Sequence, residues 1–360
     1  MEGMEVEAAH PARLPRILDT RDLDHVLDHT GNIWQALSGQ RLFITGGTGF
    51  VGKWLLGSLL WAHDRYALGV SVVVLTRDPD RFRVESPHLA GHAAVRLVPG
   101  HVANFSSPDG EFPFVIHAAT ERSFAPDSAR PLSTFDLDVE GTRRVLEFAR
   151  AHGTRRFLFT SSGAAYGKQP SDLTHIPEEY PGAPDPTDPD TAYGQAKRAS
   201  EFLCAMYARQ YGFAALIGRL FAFVGPYLPL DQQFAVGNFI RDALAGNPIQ
   251  IKGDGTPYRS YLYAADLAVW LWTILIRGES GHPYNVGSGD AVSIAQLAHT
   301  VVEAVAPGTP VEIASTPVPG SPMLRYVPSV ERAARELGLH PIIGLDEAVR
   351  RTFGWVRSVN

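Results

Sequence analysis

The chain has 360 residues, 45% of them hydrophobic and 19% charged, with a formal net charge of −6. That length suffices for a large core in one big domain or two unequal ones, and the mildly acidic balance argues against nucleic acid as a partner. A single cysteine, Cys204, excludes an internal disulfide and fits a reducing compartment. With no basic-then-apolar leader and no apolar run of membrane-spanning length, the protein is expected to be soluble and cytoplasmic.

Residues 1–39 place Leu23, Val26, Leu27, Ile33, Trp34 and Leu37 at roughly helical spacing, which predicts an appended helix docked on the core. The apolar run Leu42 to Thr45 then leads into Gly46-Gly47-Thr48-Gly49-Phe50-Val51-Gly52 and on into Lys53-Trp54-Leu55-Leu56. This is a strand, a glycine turn and the first turn of a helix. Such a turn seats a pyrophosphate on backbone N–H groups at the positive end of a helix dipole, where a Cβ would collide with it.

Further strands are predicted at Val70 to Leu75, Ala94 to Val98, Phe114 to His117, Phe157 to Ser161 and Ala215 to Phe221, with helices over Thr134 to His152 and Ala192 to Tyr211. Strands alternating with helices mean crossover connections and a doubly wound parallel sheet, an α/β fold. The proline-rich stretch Pro177 to Pro189 reads as a loop over the site. Beyond Pro226 the pattern loosens into separate helices and short strands, as expected of a smaller lobe.

Tyr193-Gly194-Gln195-Ala196-Lys197 sets a phenol and an ammonium four residues apart on one helical face, after the strand that ends in Thr160, Ser161 and Ser162. At about 4 Å and an effective dielectric near 20, an ammonium favours phenolate by roughly 4 kcal/mol. A phenol so tuned can take a proton from a secondary alcohol while hydride leaves for nicotinamide, with Ser162 hydrogen-bonding the same oxygen. No metal is called for.

The glycine turn, His117-Ala118-Ala119, Gly141-Thr142, Ser161 to Gly167, the Tyr/Lys pair, Arg219-Leu220-Phe221 with Gly225-Pro226, and Tyr284 to Gly287 occur in one order. Together they resemble the extended short-chain dehydrogenase/reductases, in the nucleotide-sugar epimerase and dehydratase branch, over roughly residues 40 to 356. The resemblance implies a Rossmann-type sheet with a smaller C-terminal substrate lobe, the former spanning residues 40–225 plus 258–287 and the latter 226–257 plus 288–360. It implies a bound NAD or NADP, a nucleoside-diphosphate sugar, a homodimer, and a catalytic group carried here by Ser162, Tyr193 and Lys197. The cofactor would meet Gly46, Thr48, Gly49, Phe50, Val51, Gly52, Thr76, Arg77, His117, Ala118, Ala119 and Thr160 as well as Tyr193 and Lys197. The substrate would meet Glu121, Ser162, Asn238 near a helix start, Arg259 and Arg325, arginine being suited to diphosphate by its paired donors. Asp266 reads as a cap of the helix containing Trp270 and Trp272.

Departures from the family pattern sort the chemistry. Gly163 and Ala164 stand where the related 4,6-dehydratases carry an Asp-Glu pair, and Ala164 stands where the related uronic-acid decarboxylases carry a glutamate. A neutral pair is neither acid nor base, so both reactions are disfavoured, although Glu121 aligns with a dehydratase-branch acid. A 4-epimerase or 4-ketoreductase, which needs only Ser, Tyr and Lys, is the leading expectation. A reductase of a non-nucleotide ketone and a non-catalytic NADP-binding regulator are its rivals, opposed by the arginines and by the intact Ser, Tyr and Lys. Thr76-Arg77 after the second strand replaces the ribose-binding Asp of NAD-preferring relatives and favours NADP, unless Asp78 reaches the ribose. His101 replaces an aspartate near adenine, Asp138 a central asparagine, and Ala222 the asparagine of Arg-x-Phe-Asn.

Overall fold

The computed structural model describes residues 17–120 and 131–359. Helix α1 (Thr20–Thr30) is capped by Asp19, whose carboxylate accepts from the Arg21 N–H at 2.9 Å, and a 3-10 turn (Gly31–Leu37) follows. The alternation then runs β1 (Arg41–Thr45), α2 (Phe50–Tyr66), β2 (Ser71–Thr76), α3 (Pro79–Glu85), α4 (Pro87–Ala90), β3 (Val95–Pro99), β4 (Phe114–His117), α5 (Pro131–Ala151), β5 (Arg156–Ser162), α6 (Ala192–Tyr211) and β6 (Ala214–Leu220). Shorter pieces follow: β7 (Phe223–Val224), α7 (Ala235–Leu244), β8 (Ile249–Ile251), β9 (Tyr258–Arg259), β10 (Leu262–Tyr263), α8 (Ala264–Arg277), β11 (Pro283–Val286) and β12 (Val292–Ser293). The chain closes with α9 (Ile294–Val305), β13 (Val311–Ile313), β14 (Arg325–Tyr326), α10 (Glu331–Leu337) and α11 (Leu345–Val359).

Seven strands form one parallel sheet in the order β3-β2-β1-β4-β5-β6-β11, the doubly wound Rossmann-like arrangement. The order reverses between β1 and β4, so a crevice opens there at the C-terminal strand ends. Both faces of the sheet are covered, which is why its strands read as apolar runs. Leu42 and Ile44 of β1 pack with α2 and α8, whereas Phe43 packs on the other face with Phe105, Phe112 and Phe148. The same alternation sends Leu158 one way and Phe157 and Phe159 the other. Each such buried aromatic contributes about 2 kcal/mol.

The six apolar residues expected on an N-terminal helix are all buried, but only Leu23, Val26 and Leu27 lie on α1; Ile33, Trp34 and Leu37 belong to the 3-10 turn. Asp266 does not cap its own helix. Its carboxylate lies 2.7 Å from His25 Nε2 and accepts from the Ile342 and Ile343 N–H groups at 2.9 Å each, tying α1 and the chain before α11 to the start of α8. Strand β11, outside the expected strands, adds the seventh strand at the sheet edge. No helix among the described residues is long and apolar enough to cross a membrane.

Candidate active site

The glycine turn joins β1 to α2 at the point where the strand order reverses. Gly46 has φ +72°, and a Cβ there would lie 2.4 Å from the Ala118 carbonyl carbon and 2.5 Å from the Ala119 nitrogen. A Cβ on Gly52 would lie 2.2 Å from the Gly46 oxygen. The turn is thus pressed against itself and against the loop after β4, as a pyrophosphate cradle requires. Gly49 caps α2 without any side-chain hydrogen bond and no acidic residue sits in the first turn, so the first N–H groups of α2 are left for an anion to accept from. The residues present fit a dinucleotide.

At the end of β2, Thr76 is buried and Arg77 exposed. Asp78 is the N-cap of α3, its side chain accepting from the Arg81 N–H at 2.9 Å. One of its carboxylate oxygens is thus engaged by the helix.

His117 ends β4, fully buried. Thr142 Oγ1 donates to the Asp138 carbonyl at 2.7 Å, so it accepts from His117 Nε2 at 3.1 Å, and His117 Nδ1 accepts from Thr45 Oγ1 at 2.7 Å. Burial first, and the nearby Lys197 second, push the imidazole down to about 3. A neutral histidine thus ties β4 to β1 and α5.

Ser162 is the last residue of β5, and its Oγ accepts from the Ala164 N–H at 3.2 Å. Tyr193 and Lys197 lie one turn apart on α6, which starts against the turn after Ser162: a Cβ on Gly194 would lie 2.5 Å from the Ala164 oxygen. The Lys197 ammonium is 5.5 Å from the Tyr193 ring centre, donates to the Thr160 carbonyl at 3.4 Å and is 2% exposed. It also lies 3.6 Å from Asp138 Oδ2, itself buried. Lys197 thus shares its charge with a carboxylate that the sequence reading did not place beside it. The Pro177–Pro189 stretch is a loop packed on this end of α6, its Pro184 carbonyl accepting from Gln195 Nε2 at 3.0 Å.

Around this cluster a second network locks the turn. Arg219 on β6 donates to both carboxylate oxygens of Glu201 at 2.7 and 3.0 Å and stacks 4.5 Å over Tyr166, while Ser161 donates to Glu201. Burial, opposed by Arg219, pushes the Tyr166 phenol up to about 12, and its hydroxyl donates to Asn285 Oδ1 at 2.8 Å.

The position of Gly163 is filled from the far end of the chain. A Cβ there would lie 2.7 Å from both the Phe221 ring and the Tyr326 hydroxyl. A carboxylate side chain would have to displace that aromatic pair, whose rings are 4.7 Å apart.

The two arginines expected to meet substrate lie on adjacent strands but on different faces. Strands β9 and β14 run parallel with Arg259 opposite Tyr326 and Arg325 opposite Tyr258. Paired residues share a face and successive residues alternate. Arg259 therefore shares the Tyr326 face, which meets Gly163, while Arg325 stacks 4.4 Å over Tyr258 on the other. Asn238 lies in the first turn of α7, which begins at Ala235, and accepts from Arg241 Nη1 at 3.2 Å. Glu121 lies outside the described residues. Tyr326 and the Lys197–Asp138 pair were not expected at the site; only the aspartate in place of an asparagine hinted at the latter.

Residues 42–287 match the model of the NAD dependent epimerase/dehydratase family. The chain belongs to that family. UDP-glucuronic acid decarboxylase 6 of Arabidopsis thaliana is 29% identical over 315 residues, 87% of each chain. Among solved structures, the UDP-glucose 4-epimerase of Thermotoga maritima with UDP-glucose superposes with TM-score 0.73 at 23% identity, covering 88% of this chain and 99% of that one. The Bordetella bronchiseptica enzyme WbmF, in complex with NAD+ and UDP, gives 0.73 at 23%, covering 90% and 94%. At these identities the structures establish the shared fold. As a member of the NAD dependent epimerase/dehydratase family the chain is an enzyme of nicotinamide chemistry, and the curated relatives it resembles include several UDP-glucuronic acid decarboxylases, a reaction that Ala164 had disfavoured.

Proposed function

We propose that this chain oxidises or reduces carbon 4 of a nucleoside-diphosphate sugar with NAD(P). The observation that carries the reading is that the first turns of α6, with Tyr193 and Lys197, pack against the turn that follows Ser162 at the end of β5. The dinucleotide, when bound, supplies the hydride acceptor. Tyr193 would take the hydroxyl proton, Ser162 would hydrogen-bond the same oxygen, and Lys197 would hold the phenol and bind ribose. Residues 40–225 with 258–287 would form the cofactor half, and the remainder after 225 the sugar-nucleotide lobe with Arg259 toward the diphosphate.

The site geometry favours the outcomes that need no further acid or base, 4-epimerisation or 4-ketoreduction. Dehydration needs a base at carbon 5 and an acid at carbon 6, and Phe221 and Tyr326 fill the space at Gly163. The curated relatives support a second reading, decarboxylation of a UDP-hexuronate. A 4-keto group lies β to that carboxylate, so carbon dioxide can leave with C4=O as electron sink and without the glutamate that Ala164 replaces.

Incubation with UDP-glucose, UDP-glucuronic acid or a 4-keto UDP-sugar, with oxidised or reduced NAD or NADP added, followed by NMR, separates these. Interconverted hexoses without net redox mean an epimerase, a UDP-pentose with carbon dioxide a decarboxylase, and one reduced cofactor consumed per added keto sugar a ketoreductase. A 4-keto-6-deoxy product carrying solvent deuterium at carbon 5 would point to a dehydratase using Glu121, and no product from any sugar would sink the reading. Thr76 and Arg77 favour NADP, whereas the family's description and the WbmF complex favour NAD. Arg77→Ala weakening NADP far more than NAD would support the first.

A homodimer is proposed from α5 and α6, which leave Leu132, Phe135, Phe202 and Met206 exposed. A molar mass in solution of one chain, by light scattering, would exclude it.

A further inference from the structure

We propose that residues 17–37 act as a strap: they fasten the C-terminal helix α11 to α2 and α8 on the sheet, and through α11 they fix the strand that carries Arg259. The step to Arg259 rests on its proposed place beside the diphosphate. These residues precede the family-matched stretch 42–287. One side of the segment is bound to the sheet helices. Leu23, Val26 and Leu27 of α1 and Trp34 of the 3-10 turn share a core with Trp54 and Leu59 of α2 and Leu271 and Trp272 of α8, and the Trp34 and Trp272 rings are 5.4 Å apart. Trp61 Nε1 of α2 donates to Asp24 at 2.8 Å, and Arg277 of α8 donates to Asn32 at 2.7 Å.

The other side holds α11. Trp355 Nε1 donates to the Ile17 carbonyl at 2.7 Å, and Arg21 lies 3.9 Å from Glu347. Two buried carboxylates join the sides. Asp22, 1% exposed, accepts on one oxygen from Arg351 of α11 at 2.7 Å and on the other from the hydroxyl of Tyr263, the residue before α8, at 2.6 Å. Asp266, fully buried on α8, meets His25 of α1 with one oxygen at 2.7 Å and accepts with the other from the Ile342 and Ile343 N–H groups, just before α11, at 2.9 Å each. A carboxylate in such a place is costly to leave without donors. Lifting α11 from α1 would strip Arg351 from Asp22, and lifting the chain before it would strip both backbone donors from Asp266.

The path from α11 to the site is short. Ala348 and Val349 of α11 share a core with Leu297, Ala298 and Val301 of α9. Helix α9 follows β12 without a break, and the reciprocal bonds of Ser293 and Gln296, at 2.8 and 3.1 Å, close its first turn. Strand β12 pairs with β9, Val292 opposite Arg259. Packing, cap and register are all fixed, so a shift of α11 carries α9, β12 and β9 with it. Arg259 is thus set in place by a segment that precedes the first strand of the sheet.

The experiment is hydrogen exchange of the full chain, read segment by segment, for the original protein, Asp22→Asn and His25→Ala, with binding of UDP and of NAD or NADP measured by calorimetry. An amide at 22 accepts on one side only, so Arg351 or Tyr263 loses its acceptor. Asp22→Asn should speed exchange at Ile342, Ile343 and along α11 by about 10–100-fold while β1 and β4 keep their original rates. His25→Ala touches no α11 contact and acts only by loosening the strap, so it should speed the same amides by about tenfold. In both variants UDP should bind about three- to tenfold more weakly, and the dinucleotide as before. Faster exchange spread evenly over sheet and α11, or confined to α1, overturns the strap. Loss of the fold in both variants overturns it too, since residues 17–37 would then be part of the core rather than fasten two parts of it. UDP affinity that holds while α11 loosens overturns the step to Arg259. An original protein that binds the dinucleotide but no UDP counts against a uridine substrate alone, and the exchange pattern still decides the strap.

Discussion

Tyr193→Phe is expected to lower kcat by about 10²–10⁴-fold while leaving cofactor affinity close to that of the original protein. The change removes one oxygen and almost no volume. Lys197 keeps the Thr160 carbonyl at 3.4 Å and Asp138 at 3.6 Å, two anchors that the change leaves in place. Ser162→Ala should be milder, about 10–10³-fold, since it removes a hydrogen bond to the reacting oxygen and the acceptor for the Ala164 N–H, but no proton-transfer group. Turnover assays with titration of reduced-cofactor fluorescence check both. Retention by Tyr193→Phe of more than about a tenth of the original rate would remove the tyrosine from the proposed chemistry.

What could be read from the sequence is what depends on neighbours along the chain. The turn Gly46 to Gly52 is local geometry, since β1, the turn and the first turn of α2 are one continuous segment. Tyr193 and Lys197 share a face because four residues make about one helical turn. That the sheet is parallel and covered on both faces follows from the alternation of strands and helices. Contacts set by two distant elements were not readable. Tyr326 reaches Gly163 across 163 residues of chain, so a neutral Gly163 was visible but its aromatic filling was not. Arg325 looked equivalent to Arg259 by residue type, yet the register that places Tyr326 opposite Arg259 turns it to the other face. Asp138 and Lys197 meet because of how α5 packs against α6, and no pattern within either helix encodes that register. Asp266, placed early in an apolar helix, had the pattern of a local cap; its partners come from α1 and from the chain before α11. Strand β11 has only four residues and includes a proline and an asparagine, too little for a period to show.

Gly46→Ala should abolish measurable cofactor binding and destabilise the fold by about 2–5 kcal/mol. Two costs combine. The backbone there has φ +72°, a left-handed conformation that costs a residue with a Cβ about 1–2 kcal/mol. The new methyl would also sit 2.4–2.5 Å from the backbone of Ala118 and Ala119, and a backbone has no alternative rotamer with which to give way. Relief requires that the loop after β4 separate from the turn after β1. That loop carries the Ala118 N–H bond to the Thr45 carbonyl at 3.1 Å and the Thr120 bonds to Asp138, which pairs with Lys197, so the glycine turn and Lys197 are disturbed together. Gly39→Ala separates the two costs. Gly39 has φ +66°, a Cβ added to it would meet nothing within 4 Å, and it lies at the opposite end of β1. It should lose only the conformational part, about 1–2 kcal/mol, and bind cofactor as before. Thermal denaturation with and without NAD, compared for the two variants, decides the matter: equal destabilisation and equal NAD binding in both would show that the close approach at Gly46 does not shape the cofactor site.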